Sequence, residues 1–146
     1  AESVENGGKV AEQDRENSGV LFVVETLEFL RRGGRIGGAQ ALLGTALNIK
    51  PVLEMQDGRI ESVEKIRTKT KATQRLLELT VERIAGRKPV RVAAVYANAE
   101  AEARALLEEA KKVLNPVETL CCPLSPVIGT HAGPGTIALP YMAGVE

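Results

Sequence analysis

The sequence predicts an α/β domain of α+β-like character, a mixed sheet of about six strands with helices packed against it. Three observations carry the prediction. Short apolar runs rich in β-branched residues, at 20–24 and 90–97, alternate with stretches whose apolar positions repeat at a helical period. Asp57-Gly58 separates two strand-like segments and is the pair favoured in a two-residue hairpin turn, where both central residues need positive φ. Residues 90–122 read as strand, helix, strand, a unit whose strands lie parallel with a right-handed crossover.

Taken in order, residues 1–19 are polar and acidic with few large apolar side chains, and read as a linker or inter-domain crossing. The domain proper is expected over residues 20–146. Val20-Leu-Phe-Val-Val24 is a strand buried on both faces. Thr26 caps a short helix carrying Leu27, Phe29 and Leu30, which Gly33-Gly34 ends. Residues 39–47, almost wholly small and apolar, predict a helix covered on most sides. The hairpin strands span 49–56 and 59–67. Thr68 or Thr70 opens a helix with Leu76, Leu77, Thr80, Val81 and Ile84 on one face, closed by Gly86. Asn98 caps the next helix, whose buried stripe is Ala103, Leu106, Leu107, Ala110, Val113 and Leu114, and Asn115-Pro116 stops it. Residues 117–122 and 136–142 supply the last two strands. Pro140 cannot donate a ladder bond, which predicts that the final strand lies at a sheet edge.

Composition narrows the function. With 19 basic and 19 acidic residues interspersed, the net charge is zero, which argues against nucleic acid as a partner. Aromatic content of 3% with no Trp argues against base-stacking platforms and membrane-interface belts. No apolar run is long enough to span a bilayer, so no membrane span is expected. Cys121 and Cys122 are adjacent, point to opposite faces of a strand, and read as small buried residues. With one histidine and no spaced cysteine cluster, no metal site or cofactor is expected, and the setting is taken as reducing and cytoplasmic.

Three stretches have the residue types to bind an anion: Gly33-Gly-Arg-Ile-Gly-Gly38, Arg67 at the hairpin exit, and Ser125-Pro-Val-Ile-Gly-Thr-His131, which holds the only histidine. Ser125 is a good N-cap and Pro126 suits the first helical position, so a short helix begins there. Residue types alone leave each stretch open. The histidine is either a hydrogen-bonded structural residue or a ligand contact, the glycine run a helix stop followed by a turn, and Arg67 an ordinary surface cation. Ser125 and Thr130 lie near His131 in sequence, but no neighbouring carboxylate completes a nucleophilic triad.

Taken together, the motifs resemble the C-terminal domain of the DegV-type fatty-acid-binding proteins. The resemblance runs from about residue 20 to 142 through Glu25-Thr-Leu-Glu-Phe-Leu30, Arg32-Gly-Gly-Arg-Ile-Gly37, Leu42-Leu-Gly44, Leu47-Asn-Ile-Lys-Pro51, the Asp57-Gly58 hairpin and the Gly129-Thr130-His131 turn. Glu25 stands where that family is expected to carry Asp.

The resemblance implies a non-catalytic carrier that holds a long-chain fatty acid between two domains and presents its carboxylate to a fatty-acid kinase. It implies that His131 hydrogen-bonds the carboxylate and that Arg35 and Arg67 support the head group, with Ile36, Gly129 and Thr130 in the same ligand-binding set. The family's N-terminal domain, which adds hydroxyl groups to the site, is expected to be missing from this chain or carried by a companion chain. Ile36, Leu43 and Leu47 are the expected apolar wall. The alternative is an enzyme or sensor that takes a phosphorylated small molecule through Arg35, Arg67 and the glycine turns. A third reading is a folding or interaction module that binds nothing.

Overall fold

A computed structural model of the chain describes residues 17–44 and 49–145. Six strands form one mixed sheet: β1 (Ser18–Val23), β2 (Val52–Gln56), β3 (Arg59–Glu64), β4 (Val90–Tyr96), β5 (Glu118–Pro123) and β6 (Ile137–Ala143). Their order across the sheet is β3-β2-β1-β6-β4-β5, and every neighbouring pair is antiparallel except β4 and β5. Among the described residues four α-helices pack on the sheet: α1 (Glu28–Arg32), α2 (Lys69–Ile84), α3 (Glu100–Leu114) and α4 (Pro126–Ala132). The mixed α/β architecture and the hairpin at Asp57-Gly58, with φ of 50° and 78°, are as the sequence predicts.

Strand alternation sorts the core into two layers. Leu21, Val23, Val52, Val92, Ile137 and Leu139 point to the face covered by α2 and α3. Their neighbours Phe22, Leu53 and Ala138 point to the other face, where Leu27 and Leu30 of α1 and Ala39 and Leu42 of a 3-10 helix, Gly37–Gly44, pack. This second face is only partly covered, and the candidate site lies on it. Gly19 opposes Tyr141 across β1 and β6, and a Cβ there would stand 2.6 Å from the tyrosine oxygen, so the glycine makes room for the ring.

Several expectations are corrected. β6 is a central strand, paired with both β1 and β4, although it contains Pro140. The β4–β6 ladder pairs Val92 with Tyr141, skips the two positions that include Pro140, and resumes at Val95 with Ala138. The missing N–H therefore falls in a gap of the ladder. Asn98 does not cap α3: it takes a left-handed φ of 52°, Ala99 is the N-cap residue, and no side chain caps the helix. The helix expected over 39–47 is a 3-10 helix that buries Ala39 and Leu42 but leaves Leu43 exposed, because it lies along the β3 side of the sheet instead of inside the core. Residues 45–47 of that helix lie outside the described residues. Val113 faces solvent at the end of α3, and on α2 Leu79 replaces Leu77 and Val81 in the fully buried set. Both cysteines are half-buried, since β5 is an edge strand. β1 begins at Ser18, inside the stretch expected to be linker; residues 1–16 lie outside the described residues.

A charged clamp fixes the corner of the sheet next to the site. Lys69, in the first turn of α2, donates to a Glu25 carboxylate oxygen at 3.1 Å and to the carbonyl of Gly135 at 2.5 Å. Lys50 donates to the Glu25 carbonyl at 2.7 Å. Burial pulls the Glu25 carboxyl upward, but bonds from Lys69 and Lys50 more than offset it and hold the group below the usual carboxylate range. The loop that leads from α4 into β6 is thereby tied to the end of β1.

Candidate ligand site

The site is built around α4. Ser125 accepts a hydrogen bond from the Ile128 N–H at 3.3 Å and Pro126 occupies the first helical position, so the start is capped as the sequence predicts. Thr130 donates to the Pro126 carbonyl at 2.7 Å. At the other end the buried Thr136 hydroxyl lies 2.8 Å from the Gly133 carbonyl and 3.2 Å from that of Ala132, satisfying carbonyls the helix leaves unpaired. This holds His131, in the last turn, in a fixed position.

Two glycines seat the imidazole. A Cβ at Gly33 would lie 2.6 Å from His131 Nδ1, so the ring rests directly on that glycine. At Gly133, with φ of 93°, a side chain would run into the Phe29 ring. α1 and α4 therefore close on each other through Gly33 with His131 and Gly133 with Phe29.

Below α4 lies a cavity of about 670 Å³. Its floor is the partly covered sheet face, with Val20, Phe22, Val95, Ala138 and Pro140. Its roof is Ile128, His131 and Ala132 of α4 with the segment Gly34, Arg35 and Gly37. The hairpin end contributes Met55, Gly58, Arg59 and Ile60. The walls are overwhelmingly apolar. The polar side chains among them are His131, Arg35, Arg59 and Thr136, and the Thr136 hydroxyl is already engaged. Among the described residues, no hydrogen bond or ion pair occupies the side chains of His131, Arg35 or Arg59.

A second cavity of about 1040 Å³ lies on the other side of the imidazole, bounded by the polar Arg32, Tyr96, Asn98, Glu100, Ser125 and Thr130 and by the apolar Phe29, Ala97, Pro123, Leu124, Pro126 and Pro134. Only Leu124 and His131 line both cavities. The histidine thus stands in the partition between an apolar chamber and a groove of more polar lining.

The structure brings some of the expected residues together and separates others. His131 and Arg35 line the apolar cavity. Gly129 and Thr130 line the polar groove. Ile36 is half-buried and packs against the second core cluster without lining either cavity. Arg67 is exposed and lines neither, because Ile66 beside it turns into the α2 side of the core. Leu43 also lies outside the cavity lining, and Leu47 is outside the described residues. The sequence reading missed Arg59 at the far end of the cavity and Gly33 as the seat of the imidazole. The adjacency of Arg59 to the hairpin turn was the one available signal for the first. Among the described residues there is no cluster of side chains suited to a metal ion, and no helix is long and apolar enough to cross a membrane.

A chamber of this kind, apolar throughout with imidazole and guanidinium at its border, suits an amphiphile with an acidic head. Comparison with known proteins agrees in fold and family. The profile of the family described as "Uncharacterised protein, DegV family" matches residues 2–144. A DegV domain-containing protein of Streptomyces coelicolor is 42% identical over 146 residues, covering 95% of this chain and 52% of the relative. Among solved structures, a DegV family protein of Thermus thermophilus, described for its fatty-acid binding, superposes with a TM-score of 0.87 at 41% identity, over 97% of this chain and 51% of that one. DegV of Bacillus subtilis, described as a fatty acid binding protein, gives 0.81 at 36% identity over 97% and 50%. The chain spans about half the length of these relatives. With the family profile matched over nearly all of its length, the chain belongs to the DegV family.

Proposed function

We propose that this chain is the lipid-holding half of a non-catalytic carrier, which binds a long-chain fatty acid and presents its carboxylate to a fatty-acid kinase. The observation that carries the reading is the apolar cavity of about 670 Å³ that ends at an unengaged His131. A carboxylate removed from water needs several donors, and charge-assisted bonds from imidazolium and guanidinium are among the strongest available. His131 and Arg35 border the same chamber and take that role. Arg67, outside the cavity, joins the head-group network only through groups beyond the described residues. The tail needs a dry wall and little else. Each buried methylene contributes about 0.8 kcal/mol before association and ordering costs.

The polar groove behind His131 gives the kinase a side from which to reach the head group while the tail stays covered. Gly129 and Thr130, which line the groove, face that exchange. The remaining head-group donors come from an N-terminal domain corresponding to the part of the relatives that this chain does not span. Fatty-acid binding by two relatives of 41% and 36% identity supports the ligand class. A phosphorylated small molecule, the other class the sequence leaves open, would leave the apolar floor unfilled.

The ligand itself is the test. Protein purified under native conditions, extracted with organic solvent and analysed by mass spectrometry, is expected to release a long-chain fatty acid. A phosphate ester in its place would overturn the reading.

A further inference from the structure

We propose that the β2–β3 hairpin acts as a ruler for the acyl chain, ending the tail at Met55 and Arg59 and setting a preferred length of about 18 carbons. The inference rests on the fatty-acid reading above and goes beyond it to specificity.

The floor of the apolar cavity crosses five strands. It passes from Val95 on β4 to Ala138 on β6 and Phe22 on β1, then to Met55 on β2 and Ile60 on β3. Val95 pairs with Ala138 and Ala138 with Phe22, so the first three form one straight row across the sheet. Met55 pairs with Val20 and with Ile60, so the far end lies two residues along the strands from that row. Adjacent strands are about 4.8 Å apart, which makes four spacings about 19 Å, and the two-residue offset lengthens the diagonal to about 20 Å. An extended backbone covers about 3.6 Å in three bonds, or about 1.2 Å per bond, and a saturated carbon chain has much the same zigzag. About 17 bonds, which join about 18 carbons, therefore carry a tail from the β4 end of the floor to the hairpin.

Chemistry changes at that end. Beyond Met55 the chain turns through Gln56, Asp57, Gly58 and Arg59, all exposed, and Gly58 and Arg59 line the cavity. A methylene pushed past Ile60 would leave an apolar wall for the flank of a guanidinium that needs water. The Arg59 side chain makes no hydrogen bond or ion pair among the described residues, so its head is free to stay hydrated while its stem borders the tail. Each methylene within the floor raises affinity by about fourfold, and each one beyond it contributes little. Affinity therefore climbs with length and levels off or falls past the hairpin.

The experiment is competitive loading of the full-length protein with an equimolar series of straight saturated acids, from about 10 to about 20 carbons, followed by extraction and mass spectrometry. The wild type is expected to retain a maximum at about 18 carbons. Met55→Trp, at a partly exposed position that tolerates bulk, should move the maximum at least two carbons shorter, roughly one indole width. Arg59→Leu, which extends the apolar wall, should move it longer. His131→Ala should lower total loading without moving the maximum. A flat length profile, or maxima that do not move in either hairpin variant, would overturn the ruler and leave fatty-acid binding standing. A wild type that retains no acid of any length would overturn the binding reading and the ruler together.

Discussion

At the scale of single residues, His131 is set less by its own neighbours in sequence than by a glycine about a hundred positions earlier. The Gly-rich stretch at 33–38 is legible as a stop signal for α1, and it is one. That Gly33 also seats the imidazole depends on how α1 meets α4, which no local pattern encodes. Replacing Gly33 with Ala puts a methyl 2.6 Å from Nδ1 and must displace the ring. We expect Gly33→Ala to weaken fatty-acid binding although Gly33 lines only the second cavity and not the apolar one, with the loss appearing in titration calorimetry and thermal stability changed far less. His131→Ala should cost about 1.5 to 3 kcal/mol of affinity, the range for a lost hydrogen bond to a charged group. If both variants bind as the wild type does, the carboxylate is not at His131. The contrast between Arg59 and Arg67 has a similar origin. Both flank β3, but only Arg59 stands at the turn that borders the cavity, and the other follows a residue that enters the opposite core layer.

Among the elements, the hairpin, α4 with its Ser125-Pro126 start, and the β4-α3-β5 unit were legible because each rests on local chemistry: turn residues, caps and periodicity. The position of β6 was not. Proline in a strand is tolerated wherever its missing N–H meets no acceptor, and an interrupted central ladder meets that condition as well as an edge does. Which of the two applies is decided by register against β4. A part-buried charge pair ties the sheet to α2: Arg83 donates to Glu54 at 2.9 Å, with Gln56 adding a bond at 2.7 Å. Burial raises the Glu54 carboxyl, but Arg83 and Gln56 more than compensate, so its folded-state pKa lies below the ordinary value. A depressed carboxylate pKa adds stability that is fully present above the unfolded-state value and is lost as the pH falls through the folded-state one. Glu54→Gln should therefore be less stable than the wild type by about 1 to 2 kcal/mol at neutral pH. The gap should narrow as the pH falls through that lowered folded-state value. Denaturant midpoints measured for both proteins from neutral pH down through that value test this, and a constant gap would show that the pair does not titrate with folding.

Across the molecule as a whole, one sheet face is sealed by α2 and α3 and the other is left partly bare. Leu120, Val127, Ile128 and Met55 are all more than 40% exposed, and all but Val127 belong to the bare face or the cavity on it. Of the side chains expected to form an uncovered wall, Leu43 is exposed and Ile36 half-buried, neither lines the cavity, and Leu47 lies outside the described residues. Their exposure depends on how the 3-10 helix settles on β3, a tertiary choice that hydrophobicity alone does not determine. Soluble monomers seldom expose a contiguous apolar patch beyond a few hundred Å², so the isolated chain is expected to bind an apolar dye or to self-associate. Adding the N-terminal domain should reverse both, as read by dye fluorescence and sedimentation. A strict monomer that binds no dye would mean that these side chains do not form one continuous patch.

The partition between the two cavities gives the molecule a built-in spectroscopic probe. One imidazole touches both spaces, and it is the only histidine in these 146 residues. Its ring resonances in a heteronuclear magnetic resonance spectrum therefore report, as a single resolvable set of peaks, on whatever enters from either side. Filling the apolar chamber and occupying the polar groove should displace those peaks in different directions. An acid in one space and a partner's group in the other could then be followed simultaneously, without labelling the ligand or adding a dye.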